Sequence, residues 1–186
     1  MPNRWSQEKY VAALKYAATA HSGQKVPGSD FPYVVHVVMV AIKVIGALQA
    51  EDGIGGDLAV QCALLHDVIE DAGKSYEDLD KVFGKEVAGG VLALTKSNLI
   101  ESKPDKMADS LARIKAQPRE IGMVKLADRI VNLQPPPVHW SAEKRSKYRE
   151  EAIQIHEQLK GSSSFLADRL SRKIQEYQSF ISPSDD

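Results

Sequence analysis

The sequence predicts an all-α protein, a compact assembly of many helices. Three observations carry this. Apolar residues recur at intervals of three and four along most of the chain. Serine caps, glycines and prolines punctuate it at helix-sized spacings. No alternating apolar–polar run is long enough for a convincing strand. The composition, 43% hydrophobic and 26% charged over 186 residues, is that of an ordinary globular chain with a core of its own.

Ser6 caps a first helix whose apolar positions are Tyr10, Leu14, Ala17 and Ala18, and Gly23 lies just past its end. Residues 24–31 form a turn-rich loop containing Pro27, Gly28, Ser29 and Asp30. Pro32 suits the first turn of a second helix running to Leu48. Its valines and isoleucine favour a strand, but the run exceeds the ~4–8 residues of most strands. After a break at residues 52–56, Asp57 opens a third helix, DLAVQCALLHDVIED, ended by Gly73. It is apolar on most sides, so it belongs at the centre. Ser75 and Asp78 make an S-x-x-D capping pattern for a short helix ending at Gly84. A further helix covers Glu86 to Leu94, a polar loop runs from Thr95 to Asp105, and Lys106 to Ala116 is helical. Pro118 restarts the pattern through REIGMVKLADRIVNL, which Pro135, Pro136 and Pro137 stop. Ser141 caps a long charged helix ending near Gly161, and a last amphipathic helix fills Phe165 to Phe180.

Residues 1–186 read as one domain, with 182–186 as a frayed tail. The charges nearly balance, 24 basic against 25 acidic, for a net −1. That predicts no nucleic-acid partner and no membrane-surface partner, and a polyanionic substrate would need a local basic patch. The single cysteine, Cys62, excludes an intramolecular disulfide and reads as a small core residue. The first residues lack a signal-peptide stretch. The most apolar segment, Val34 to Leu48, carries His36 and Lys43 and is shorter than a ~20-residue span. The expectation is a cytoplasmic protein. The oligomeric state stays open. His139 and Trp140 read as a packed turn, and His156 as a surface residue.

The chemistry gathers in ALLHDVIED. His66, Asp67, Glu70 and Asp71 follow one another inside an apolar helix, and burying them without partners costs several kcal/mol each. Read as one continuous helix, Glu70 stacks over His66 and Asp67, and Asp71 over Asp67. A divalent metal would relieve the repulsion, and an imidazole with carboxylates suits manganese, iron or zinc. His36 in YVVHVVMV and Asp128 in VKLADRIVNL are further inward-pointing candidates.

His36, then His66-Asp67, then Asp128 resemble the H…HD…D ligand pattern of the HD superfamily of metal-dependent phosphohydrolases. The longer HDVIED is similar to the HDxxED signature of RelA/SpoT-type alarmone hydrolases. AHSGQ, PYVVH and VKLADRIVNL match the same branch. The resemblance runs from about Thr19 to Leu133 and implies a small stand-alone alarmone hydrolase with the compact multi-helix HD fold. It implies removal of the 3′-pyrophosphate from guanosine tetra- or pentaphosphate, generally with Mn²⁺, although another divalent metal is open. By motif, His36, His66, Asp67 and Asp128 are its metal ligands. Glu70 and Asp71 are the catalytic acidic pair that orients and activates water.

For the substrate, the resemblance points to Asn132 as a ribose or phosphate contact and to Tyr148 as a neighbour. Lys125 shares a helical face with Asp128 and Asn132 and is a further candidate, while Arg129 stands about 100° around that helix. One departure bears on the base. Where the family has an arginine that stacks on guanine, this chain has Val26, beside Lys25, which is a partial substitute. An adenosine alarmone or another nucleotide phosphate ester is therefore an alternative substrate. A non-catalytic nucleotide-binding module is a further reading, but it has no need of Glu70 and Asp71.

Overall fold

The computed structural model describes residues 4–181, so the predicted frayed tail at 182–186 lies outside the described residues. Among the described residues ten α-helices follow one another: α1 (Gln7–Ala20), α2 (Val34–Ala50), α3 (Gly56–Leu65), α4 (Val68–Asp71), α5 (Tyr76–Phe83), α6 (Lys85–Leu94), α7 (Lys103–Lys115), α8 (Arg119–Asn132), α9 (Ala142–Leu159) and α10 (Ser164–Tyr177). Single 3₁₀ turns follow α9 and α10. Among the described residues the extended backbone pairing is limited to one isolated bridge between Lys25 and Pro32. The all-α expectation holds.

The serine caps act as their sequence context requires. Ser6 accepts from the Lys9 amide at 3.2 Å, Ser141 from Lys144 at 3.2 Å and Ser163 from Leu166 at 3.1 Å. Ser75 and Asp78 close a reciprocal capping box at 3.1 and 2.9 Å. Gly73 and Gly84 take φ of +65° and +85°, which suits glycine and ends the segments before them.

α3 is the central helix: every residue from Gly56 to Leu65 except Asp57 is buried. It packs on α1, α2, α6 and α8. The core forms one cluster that includes Val37, Val44, Leu64, Leu65, Ile121, Leu126 and Leu170. Gly90 lets α6 come close, because a Cβ there would lie 2.5 Å from Ile121 Cδ1 and 2.9 Å from Cys62 Sγ. Cys62 is fully buried, as expected of a core residue.

Several boundaries differ from the sequence reading. Pro32 does not open the second helix: it pairs with Lys25 in the isolated bridge, and α2 begins at Val34 after the Tyr33 N-cap. α7 begins at Lys103, not Lys106, because Ser102 caps it and Pro104 has the fixed φ of a first helical turn. The larger correction concerns the third helix. It is not continuous through Asp71 but breaks at His66–Asp67 into α3 and the single-turn α4.

Candidate metal centre

The break builds the site. Asp67 sits at φ −104°, ψ 0°, between helix and turn, and its carboxylate does not cap α4. His66 Nδ1 lies 2.8 Å from the Ala63 carbonyl and donates to it, which leaves Nε2 facing inward. An unbroken helix would set these two side chains about 100° apart. The turn brings His66 Nε2 and Asp67 Oδ2 to 2.9 Å.

α2 brings His36 opposite, with its Nε2 3.3 Å from His66 Nε2 and 3.7 Å from Asp67 Oδ2. One donor atom from each of His36, His66 and Asp67 falls within a 4.8 Å group. α8 adds Asp128, whose Oδ1 lies 3.5 Å from His36 Nε2 and 3.8 Å from His66 Nε2. The four predicted ligands thus converge from three segments. Both histidines and Asp128 are buried. Two imidazole nitrogens and two carboxylates facing one another form a donor set that a divalent cation satisfies. Burial opposes a charge on His66, but Asp67 and Asp128 outweigh it and push its pKa up to about 9. Asp128 is driven well below the usual carboxylate range: burial opposes this, and Lys125 and the two histidines overcome it.

Tyr33 extends the cluster. Its hydroxyl donates to Asp67 Oδ2 at 2.5 Å and lies 3.4 Å from Asp71 Oδ2. Burial and the Asp67 charge push the phenol pKa upward, so it stays a donor. Asp71 and Glu70, predicted as one stacked acidic face, have different surroundings. Glu70 takes the Lys96 ammonium at 2.9 Å and the Lys96 amide at 3.0 Å. Asp71 stays on the Tyr33 side, where burial and the charges of Asp67 and Glu70 raise its pKa.

On α8, Asn132 Nδ2 donates to Asp128 Oδ1 at 2.6 Å and Lys125 Nζ to Oδ2 at 3.2 Å. The shared face predicted for these three residues is present. Lys125 is no solvated charge, and neither is Arg129. Arg129 is buried, with its guanidinium 4.7 Å from the Tyr148 ring centre. Tyr33, His36 and Asn132 also line an adjoining cleft of about 510 Å³, walled by Val26, Tyr148, Trp140 and the Pro135–Pro137 run. Trp140 packs edge-on to Tyr148 at 5.2 Å, so the turn expected to be merely packed forms part of a wall. Lys25 stands apart. Its ammonium pairs with Asp30 at 2.6 Å in solvent, and it does not line the cleft that Val26 lines. The antiparallel bridge to Pro32 alternates side-chain direction, which turns Val26 inward and Lys25 outward.

A family model for the HD domain matches residues 13–163. The chain belongs to the HD-domain family. Among its HD-domain relatives is the guanosine-3′,5′-bis(diphosphate) 3′-pyrophosphohydrolase MESH1 of Drosophila melanogaster, 32% identical over 87% of this chain and 90% of that protein. The zebrafish protein of the same name is 29% identical, over 89% of this chain and 92% of its own length. Among solved structures, a metazoan orthologue of SpoT described as hydrolysing ppGpp superposes with a TM-score of 0.79 at 27% identity, covering 95% of this chain and 99% of the other.

Two residues of this HD domain's pocket escaped sequence reasoning. Lys96 lies in a polar loop with no periodic signal, and only the fold sets it against Glu70 beside Asp67 and Asp128. Tyr33 stands in the quoted PYVVH, three residues before His36, where one helical turn aligns the two.

Proposed function

We propose that this HD-domain protein is a divalent-metal phosphohydrolase that removes the 3′-pyrophosphate of guanosine tetra- or pentaphosphate, releasing GDP or GTP and pyrophosphate. The observation that carries the reading is the convergence of His36, His66, Asp67 and Asp128 beside a cleft of about 510 Å³ that His36 also lines. The named activity of full-length relatives supports it.

These four residues would hold the metal, for which we favour Mn²⁺. When bound, such an ion polarises the phosphoryl group and makes water acidic. The chain's own groups do the rest. Tyr33 fixes Asp67 by its short hydrogen bond, and Lys125 and Asn132 fix Asp128. Asp71, with its raised pKa, is the group placed to take the proton of an attacking water. The water oxygen bonds to the phosphorus next to the ribose, the bond from that phosphorus to O3′ breaks, and O3′ leaves with a proton. Glu70 anchors Lys96, which with Lys125 places two ammonium groups beside the pocket to meet phosphoryl oxygens. Asn132 and Tyr148 face the nucleoside from the cleft side. A nucleotide substrate of this kind fits an enzyme of the cytoplasm.

A second reading concerns the base alone. The cleft meets it with Val26, Pro27 and Trp140 and with no arginine from the 24–31 loop. That apolar wall favours stacking over guanine-specific contact and leaves adenosine alarmones open. The test is a product assay with Mn²⁺ on matched guanosine and adenosine alarmones and other 3′-phosphorylated nucleotides. Release of pyrophosphate from the guanosine alarmone supports the proposal. Metal-dependent release of a different product, with the alarmones untouched, overturns it.

A further inference from the structure

A second concave surface lies across the wall of the cleft, between α2, the end of α8 and α10. It encloses about 290 Å³. Met39, Val131 and Gln134 are common to both chambers, so the two share a wall. The second chamber is unlike the first in charge. Arg169, Arg172 and Lys173 stand at spacings of three and four on one face of α10, and Lys43 of α2 faces them.

These cations are short of anions. The one acid among the lining residues, Glu176, is taken by Lys173 at 2.8 Å. Among the described residues no carboxylate lies within ion-pair distance of Lys43, Arg169 or Arg172. Arg169 packs over the Phe165 ring at 5.4 Å, and its Nε is buried without a hydrogen-bond partner. Burial and the facing charges of Arg169 and Lys173 push the Lys43 pKa down, the mark of like charges held together. In a chain of net charge −1, this concentration is local and works against the fold.

We propose that this groove is a second anion site, which takes a compact phosphorylated anion: inorganic pyrophosphate or the diphosphate end of a nucleotide. Guanidinium forks match phosphoryl oxygens in pairs, and an ammonium adds a point charge. The groove is small and concave, with Ile42 and Met39 on its α2 side, which suits a small ligand rather than a flat bilayer or a duplex backbone.

The test is titration calorimetry on the full chain, freed of metal, at low salt. The probes are inorganic pyrophosphate, GDP and citrate. A Lys96→Ala/Lys125→Ala background removes the cations of the catalytic pocket. The expected result is one pyrophosphate per chain in that background, weakened at least tenfold by Lys43→Met/Arg172→Met and about threefold by Arg172→Gln alone, a substitution at an exposed position. Without ligand, Lys43→Met/Arg172→Met should melt no lower than its parent, because repulsion is relieved, yet lose the rise in Tm that pyrophosphate gives. GDP tighter than pyrophosphate assigns the site to a nucleotide, and equal affinities assign it to the phosphates alone. The proposal is overturned by no pyrophosphate binding in the wild type, by equal binding in the Lys43/Arg172 variants, or by loss of all binding in the Lys96/Lys125 background. Citrate bound as tightly as pyrophosphate, or binding only to phosphatidylserine vesicles, also overturns it.

Discussion

Two carboxylate clusters bury charge in this molecule, and they are built in opposite ways. At the junction of α2 and α10, Glu51 is surrounded by donors. The Phe165 amide reaches Oε1 at 2.7 Å, Ser163 and Ser164 hydroxyls at 2.9 and 3.0 Å, and Arg119 reaches Oε2 at 2.8 Å. At the metal centre, two carboxylates and two imidazole nitrogens are pressed against one another. The first cluster matches acceptors with donors and ties two helices together. The second crowds carboxylate and imidazole groups at one point, a donor set that a divalent cation would satisfy. Complete pairing marks a structural charge, and crowded acceptors mark a binding charge.

The strongest way to break this comparison is Asp128→Ala. It should abolish metal binding and reduce hydrolysis by at least ~100-fold, as expected when an electrostatic or acid–base partner is lost. The helical circular dichroism should survive, because the deleted acceptor relieves its neighbours. Equal metal content in wild type and variant, measured by elemental analysis, would show the centre misassigned. Glu70→Gln and Asp71→Asn come next. Both should retain metal, and each should lose ~100-fold in turnover. Near-normal rates in both would remove the acidic pair from the reaction.

Glu51→Gln tests the other cluster. It should cost about 1–3 kcal/mol in denaturant unfolding, the scale of hydrogen bonds to a charged group, and leave metal binding unchanged. Its pH dependence has a definite sign. Burial opposes the charge, but the bonds from Phe165, Ser163 and Ser164 and the Arg119 charge hold the Glu51 pKa below its ordinary 4.5. The unfolded chain therefore binds the proton more readily. Stability from Glu51 is complete above the ordinary glutamate range and is lost as the pH falls through the lowered native pKa. Glu51→Gln should unfold with a shallower loss of stability in that acid range, and an unchanged slope would refute the assignment.

The smallest expected effect separates reaction from base choice. Val26→Arg adds a planar cation to the cleft wall, worth about 0.5–2 kcal/mol where it stacks on a base. It should lower KM for the guanosine alarmone a few-fold to some thirty-fold, with little change in kcat. A guanosine preference over adenosine that is strong in the wild type and unchanged in Val26→Arg would show that this loop does not read the base.

Much of the fold was legible in the chain. Ser6, Ser75 and Ser141 cap helices through bonds spanning three residues, so their signals are local. The candidate ligands were legible as polar residues in apolar helices, since burial makes an unpaired charge costly. The break at His66–Asp67 was not. Every residue of ALLHDVIED tolerates a helix, and the reward for leaving it is a contact with His36 and Asp128, thirty and more residues away. Lys96 and the outward turn of Lys25 were hidden for related reasons, one fixed by Glu70 across the fold and the other by pairing with Pro32.

By itself, the sequence determined the all-helical class, the caps and stops, the central place of α3, and the residue types able to hold a metal. These depend on periodicity and on side chains reaching three or four positions along the chain. The tertiary structure alone decided which acceptors share a pocket, which acid meets Lys96 and which meets Tyr33, and where cations gather with few anions. Those outcomes depend on distances between residues far apart in the chain, which the packing of the helices sets and no local spacing along the sequence records.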